Sequence, residues 1–141
     1  MRILGIDLGK KNIGIAISDE SAVIAQSYGI VKRVRDDRAV KEIMDIAAAY
    51  EVSEIVVGLP LNMDGSRGAS ARDSMGFADR LKKDSGIKIV LWDERLSTKE
   101  AEDMMLAADL SRRKRKSVVD KIAAQLILQG YLDSCAEKRK T

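Results

Sequence analysis

Three carboxylates, Asp7, Glu94 and Asp120, stand in the surroundings best suited to chemistry. Asp7 interrupts Ile3-Leu4-Gly5-Ile6-Asp7-Leu8, an apolar, β-branched run that otherwise reads as a buried strand, and an ionised acid there needs a partner or a task. Hydrogen bonds to the turn at residues 9–12 would be a purely structural task. Glu94 lies between Asp93 and Arg95 just past another apolar run; taken alone, a loop Glu beside an Arg is more often solvated or paired. Asp120 closes Ser117-Val118-Val119-Asp120, a capping-box pattern that by itself would explain the acid. Yet Asp120 also shares a predicted helix face with Ala123, Ala124, Ile127 and Tyr131. Converging, the three acids would make an oxygen-only ligand set for a divalent cation, Mg2+ or Mn2+, which offsets their mutual repulsion. Two such ions about 4 Å apart suit phosphodiester hydrolysis, because they activate water and stabilise the leaving oxygen. The chain has no histidine and one cysteine, Cys135, which excludes imidazole triads and thiolate metal cages.

Positive charge is concentrated in blocks, although the net charge is only +3 and the pI about 9.0. Arg112, Arg113, Lys114, Arg115 and Lys116 run just ahead of Asp120, Lys32, Arg33, Arg35 and Arg38 cluster, and Lys138, Arg139 and Lys140 lie near the end. Such blocks suit a polyphosphate partner; a solvated loop between helices is the plain alternative for the first. Lys10 and Lys11, in the turn after Asp7, and Arg95 join the 112–116 run as candidate nucleic-acid contacts, while Asn62 and Asp64 are candidates for the rim of the site. The chain's five aromatics, Tyr28, Tyr50, Phe77, Trp92 and Tyr131, avoid the basic clusters, which argues against a base-stacking platform.

These residues need a sheet to gather them. Residues 2–8, 12–18 and 22–32 are Ile/Val-rich runs joined by connections short enough to demand antiparallel neighbours. The period then turns helical through Ala39, Val40, Ile43, Ala47 and Tyr50, with Asp36 and Asp37 as candidate caps. A strand at 54–58, a turn-rich loop at 59–68 and a helix opened by Ser70 and Asp73 follow. Next come a strand at 87–92, a third helix with Ala101, Met104, Met105 and Ala108 on one face, and a fourth from 117 to about 133, set off by the basic run. Strands joined through helices run parallel, so the expected fold is α/β, a mixed sheet in one domain over residues 1–141. Sites in such sheets form beyond the carboxyl ends of the strands, where Asp7, the loop after Gly58 and Glu94 belong. No apolar run has the roughly 18 residues needed to span a bilayer, and the chain opens with a strand pattern instead of a signal peptide, so a cytoplasmic protein is expected.

Four ordered segments carry a resemblance: Gly5-Ile6-Asp7-Leu8-Gly9 with Ile13-Gly14; Val57-Gly58-Leu59-Pro60-Leu61-Asn62-Met63-Asp64-Gly65; Asp93-Glu94-Arg95-Leu96-Ser97-Thr98; and Val119 through Leu128. With them the chain resembles, over nearly its whole length, the YqgF/RuvX family of pre-16S rRNA nucleases with a Holliday-junction-resolvase-like fold. The resemblance implies an RNase H-like five-stranded sheet in the order 3-2-1-4-5 with strand 2 antiparallel, and a metal-dependent acid set at Asp7, Glu94 and Asp120. It also implies a cytoplasmic role in maturing the small-subunit ribosomal RNA, with precursor RNA as partner and no membrane, as a monomer or homodimer. Lys10 and Asn12 depart from the hydroxyl residue and Arg that many relatives carry there. Cleavage of branched DNA and non-catalytic RNA or ribosome binding are the competing functions. Asp7-Leu8-Gly9 followed by Gly14 also looks like the first phosphate loop of actin-like ATPases, but the chain has no evident second phosphate loop.

Overall fold

The computed structural model describes residues 1–95 and 112–140, with side chains over 1–95 and 122–138. The expected third helix, with Ala101, Met104, Met105 and Ala108 on one face, lies outside the described residues.

Strands β1 (Arg2–Leu8), β2 (Asn12–Ser18) and β3 (Ala25–Lys32) form the antiparallel meander, and β4 (Val52–Leu59) and β5 (Lys88–Asp93) add in parallel on the other side of β1. The resulting order is β3-β2-β1-β4-β5. Helices α1 (Asp36–Ala49) and α2 (Ala69–Ser85) cover one face, where Leu4, Ile6, Ile55 and Val57 meet Val40, Ile43, Phe77 and Leu81. Helix α3 (Arg112–Lys140) covers the other, where Ile3, Ala16 and Val56 meet Ala124, Ile127, Leu128 and Leu132. Alternation along β1 therefore sends Leu4 and Ile6 toward α1 and α2, and Ile3, Gly5 and Asp7 toward α3.

Several elements depart from the sequence reading. Residues 22–24 are a turn, not strand: the Asp19 carboxylate accepts the Val23 and Ile24 amides, and Ala22 sits at φ 55°. Arg35, not an aspartate, occupies the N-cap of α1, so Asp36 and Asp37 fall in its first turn; Gly68 caps α2 without a side-chain bond, leaving Asp73 for another partner. Tyr50 leaves the apolar stripe and ends α1 half-exposed, edge-on to Tyr28. The basic run is no interhelical loop, because residues 112–116 form the first turns of α3. Ser117 to Asp120 consequently lies inside the helix and not at its start.

Candidate active site

Glu94 crosses a strand to reach Asp7. Asp7 lies one residue before the end of β1 and Glu94 follows β5, with β4 between them, a separation of about 9.5 Å between strand axes. The register pairs Ile6 with Val57 and Gly58 with Trp92, so Gly58 lies between the two acids on the α3 face. A side chain at Gly58 would block the way: its Cβ would stand 2.8 Å from Cγ and Cδ of Glu94 and 2.6 Å from Ile127 Cδ1. The missing Cβ lets the Glu94 side chain lie over β4 and hydrogen-bond the Asp7 carboxylate. The Glu94 amide, bonded to Leu59 O at 3.1 Å, fixes where that side chain starts.

Burial first, then the neighbouring charge of Asp7 and the hydrogen bond to it, push the Glu94 carboxyl up to about 8. At neutral pH it is therefore mostly protonated and donates to Asp7. Asp93 behaves oppositely, because bonds from the Arg95 guanidinium hold it below the usual carboxylate range. Two acids sharing a proton in a half-buried site are the electrostatic state expected of oxygen ligands with their cation removed.

Helix α3 brings the third position near. Tyr131 OH hydrogen-bonds Glu54 near the start of β4 while Ile127 meets Gly58 near its end, so α3 runs antiparallel to β4. A Cβ on Gly5 would lie 2.8 Å from Leu128 Cβ and 3.1 Å from Ala124 O, so α3 crosses β1 almost in backbone contact. From Gly5 to Asp7 the strand advances about 6.6 Å, and from Ala124 back to Asp120 the helix advances about 6 Å the same way. The backbone of Asp120 is thus level with Asp7; its side chain lies outside the described residues. Among the described residues no three acidic, cysteine or histidine side chains form a metal cage. Asp7 and Glu94 meet as a pair.

The remaining candidates sort around this pair. Lys10 and Lys11 line a cavity of about 210 Å³ together with Asp7, Gly9, Asn12 and Gly14. Arg95 is half-exposed, gives Nε and Nη2 to Asp93 and reaches Met63 O with Nη1 at 3.4 Å. Asn62 and Asp64 shape the loop beneath it: the Asn62 amide donates to Ser66 O at 2.9 Å, and the Asp64 carboxylate accepts the Ser66 amide. The backbone places Arg112, Arg113, Lys114, Arg115 and Lys116 in α3 upstream of Asp120, with side chains outside the described residues. Arg33, grouped by sequence with surface bases, is instead nearly buried between Asp36 and Asp73. Sequence reasoning missed Gly58 as the gap that joins the acids; a glycine ending an apolar strand was the available signal.

The family model described as "RuvX: Holliday junction resolvase" matches residues 1–134. The chain belongs to the RuvX family. Similar RuvX relatives include proteins of Thermoanaerobacter pseudethanolicus, 50% identical over 98% of this chain and 100% of the relative, and of Clostridium tetani, 50% identical over 98% and 100%. Both carry the name "Putative pre-16S rRNA nuclease". Among solved structures, the fowlpox virus Holliday junction resolvase superposes with a TM-score of 0.56 at 15% identity, covering 95% of this chain and 99% of that one. Thermus thermophilus RuvC gives 0.55 at 14%, covering 97% of each. At such identities the likeness is one of fold, and it gives this RuvX chain the RNase H-like architecture. No described helix is long and apolar enough to cross a membrane.

Proposed function

We propose that this chain is a single RNase H-like nuclease domain that hydrolyses phosphodiester bonds in precursor 16S ribosomal RNA in the cytoplasm, using a divalent cation. The observation that carries the reading is the meeting of Asp7 and Glu94 across Gly58, at the level reached by the backbone of Asp120. Asp7, Glu94 and Asp120 would hold the ion, Mg2+ or Mn2+. The fit rests on their chemistry: the pair offers hard oxygen donors, and its shared proton is a charge deficit that a cation replaces. When bound, the ion supplies activation of water and stabilisation of the departing oxygen.

The chain's own residues do the rest. Asp7, rooted in the strand, sets the centre of the site; with a cation bound, Glu94 would release its proton to solvent and serve as a second anionic ligand. Lys10 and Lys11, beside Asp7 in the 210 Å³ cavity, and the basic first turns of α3 hold the phosphate backbone on either side. Arg95 orders the rim through Asp93 and Met63 and offers its exposed edge to a phosphate. The relatives' names support an RNA substrate; the description of the family model supports branched DNA as the second reading.

Cleavage of a 5′ precursor 16S rRNA fragment and of a four-way DNA junction, side by side with Mg2+ or Mn2+, tests both. Metal-dependent cut RNA, reduced to background in Asp7→Asn, Glu94→Gln and Asp120→Asn, is the expected result. Cleavage of the junction alone would favour the second reading. Equal signals from wild type and Asp7→Asn would mark contamination and leave a binding protein.

A further inference from the structure

We infer that Arg33 is a positioning residue that locks the β1–β2 turn, and with it Lys10 and Lys11, for phosphate binding beside Asp7. The inference rests on the proposed reading of those lysines as phosphate contacts. Arg33 follows β3, and its side chain is only 11% exposed. All five guanidinium N–H groups have acceptors. Nε and Nη2 donate to the two Asp36 oxygens at 2.8 and 3.2 Å, while Nη1 and Nη2 donate to those of Asp73 at 2.7 and 2.8 Å. The fifth, from Nη1, goes to the carbonyl of Gly9 at 3.1 Å. The backbone amide of Arg33 donates to Lys11 O at 2.8 Å. The carbonyls on both sides of Lys10 are therefore held by one residue.

That residue is itself immobilised. Asp36 comes from the first turn of α1 and Asp73 from α2, so the guanidinium ties both helices to the turn, and it lies over the Phe77 ring at 5.7 Å. With two carboxylates around it and no donor left over, Arg33 is an anchor and not a receptor for phosphate. A lysine has three donors on a point charge and cannot span two carboxylates and a carbonyl in one plane. Turn residues 9–12 are otherwise closed by one internal bond, Gly9 N to Asn12 O at 3.0 Å. Without the guanidinium the backbone bond to Lys11 O stays but Gly9 O loses its tie, so Lys10 and Lys11 keep their charge and are held less firmly next to Asp7.

The test measures binding of a 5′ precursor 16S rRNA fragment in EDTA across a salt series, with circular dichroism and thermal melts to establish folding. Each phosphate contact contributes about 0.7 (single strand) to 0.9 (duplex) to the slope of log K against log salt. Lys10→Gln/Lys11→Gln should lower that slope by about 1.4–1.8, roughly a tenfold loss of binding near the salt concentration at which wild type is half-saturated. Arg33→Lys and Asp73→Ala should each lower the slope toward the same value, speed amide exchange at Gly9 to Asn12, and add nothing in the Lys10→Gln/Lys11→Gln background. Asp73→Ala keeps the Asp36 bonds and decides the matter if Arg33→Lys fails to fold. A wild-type slope in the Arg33 and Asp73 variants, with a lowered one in the lysine variant, overturns the inference alone. A further drop in the combined variant also overturns it, because Arg33 would then contact phosphate directly. An unchanged slope in Lys10→Gln/Lys11→Gln overturns the phosphate reading and the inference with it.

Discussion

Replacing Glu94 by Gln should make the metal-free protein more stable at pH 8, with the gain shrinking to under about 1 kcal/mol at pH 5. Burial and the adjacent Asp7 hold the Glu94 carboxyl at about 8 against 4.5 for an unperturbed one. The folded chain thus keeps a proton that the unfolded chain releases, and folding stability, complete below about pH 4.5, is lost progressively as the pH rises toward 8. At about 1.4 kcal/mol per unit, the loss between pH 5 and 8 is on the order of 3 kcal/mol, and solvent at the exposed edge of the carboxyl reduces the observable part to about 2–3 kcal/mol. Gln stays neutral and still donates to Asp7, so it mimics the protonated acid at every pH. Its Tm at pH 8 should exceed that of wild type by about 6–9 °C in EDTA. Among the described residues outside the Asp7–Glu94 pair, the shifted carboxyls at Asp19, Asp36, Asp64, Asp73 and Asp93 are lowered and lose their stabilising effect only in acid, and the chain has no histidine. Urea melts at half-unit steps from pH 5 to 8 provide the slope. A flat wild-type profile, or the same fall in Glu94→Gln, would refute the shared-proton account of the site.

Gly58→Ala should separate activity from stability: its Cβ would lie 2.8 Å from Glu94 Cδ, and displacing that side chain should cost about 1–2 kcal/mol in melts but about 100-fold in metal-dependent cleavage. Gly5→Ala meets Leu128 Cβ at 2.8 Å and the Ala124 carbonyl at 3.1 Å, neither of them a flexible chain end, so denaturation should show a loss of about 2–3 kcal/mol as α3 is forced off the sheet. In the basic run, the helical period puts Arg113 within about 20° of Ala124 around the α3 axis and Arg115 nearly opposite. Arg113→Gln should therefore lower the salt slope of RNA binding by about 0.7–0.9 and Arg115→Gln by less than half as much; equal effects would mean that the run acts as a diffuse charge.

What could be read in the sequence and what could not divide along a physical line. Strand patterns, helical stripes and the parallel crossovers were legible because burial imposes a period on neighbouring residues, and Leu4, Ile6, Val40 and Ile43 do fill one core as that period requires. Boundaries set by single polar groups were not. Ser70 and Asp73 have the spacing of a cap, yet Asp73 bonds Arg33, forty positions away in the chain, where two carboxylates around one buried guanidinium offer stronger bonds than a helix end. The same limit applies to the acids. Asp7 was conspicuous because its charge breaks an apolar run, whereas Glu94 gave no local sign, since what makes it unusual is the neighbour it acquires two strands away. That neighbour depends on a residue with no side chain at all. An acid at the end of β5 can join one at the end of β1 only if β4 presents nothing between them, and the chain meets this condition with Gly58. A second glycine, Gly5, lets α3 settle close enough that its upstream turns overhang the same strand ends, which carries the backbone of Asp120 level with Asp7. The geometry of the site is therefore set as much by absent Cβ atoms at two sheet positions as by the carboxylates themselves, and a search for charged residues alone passes over both.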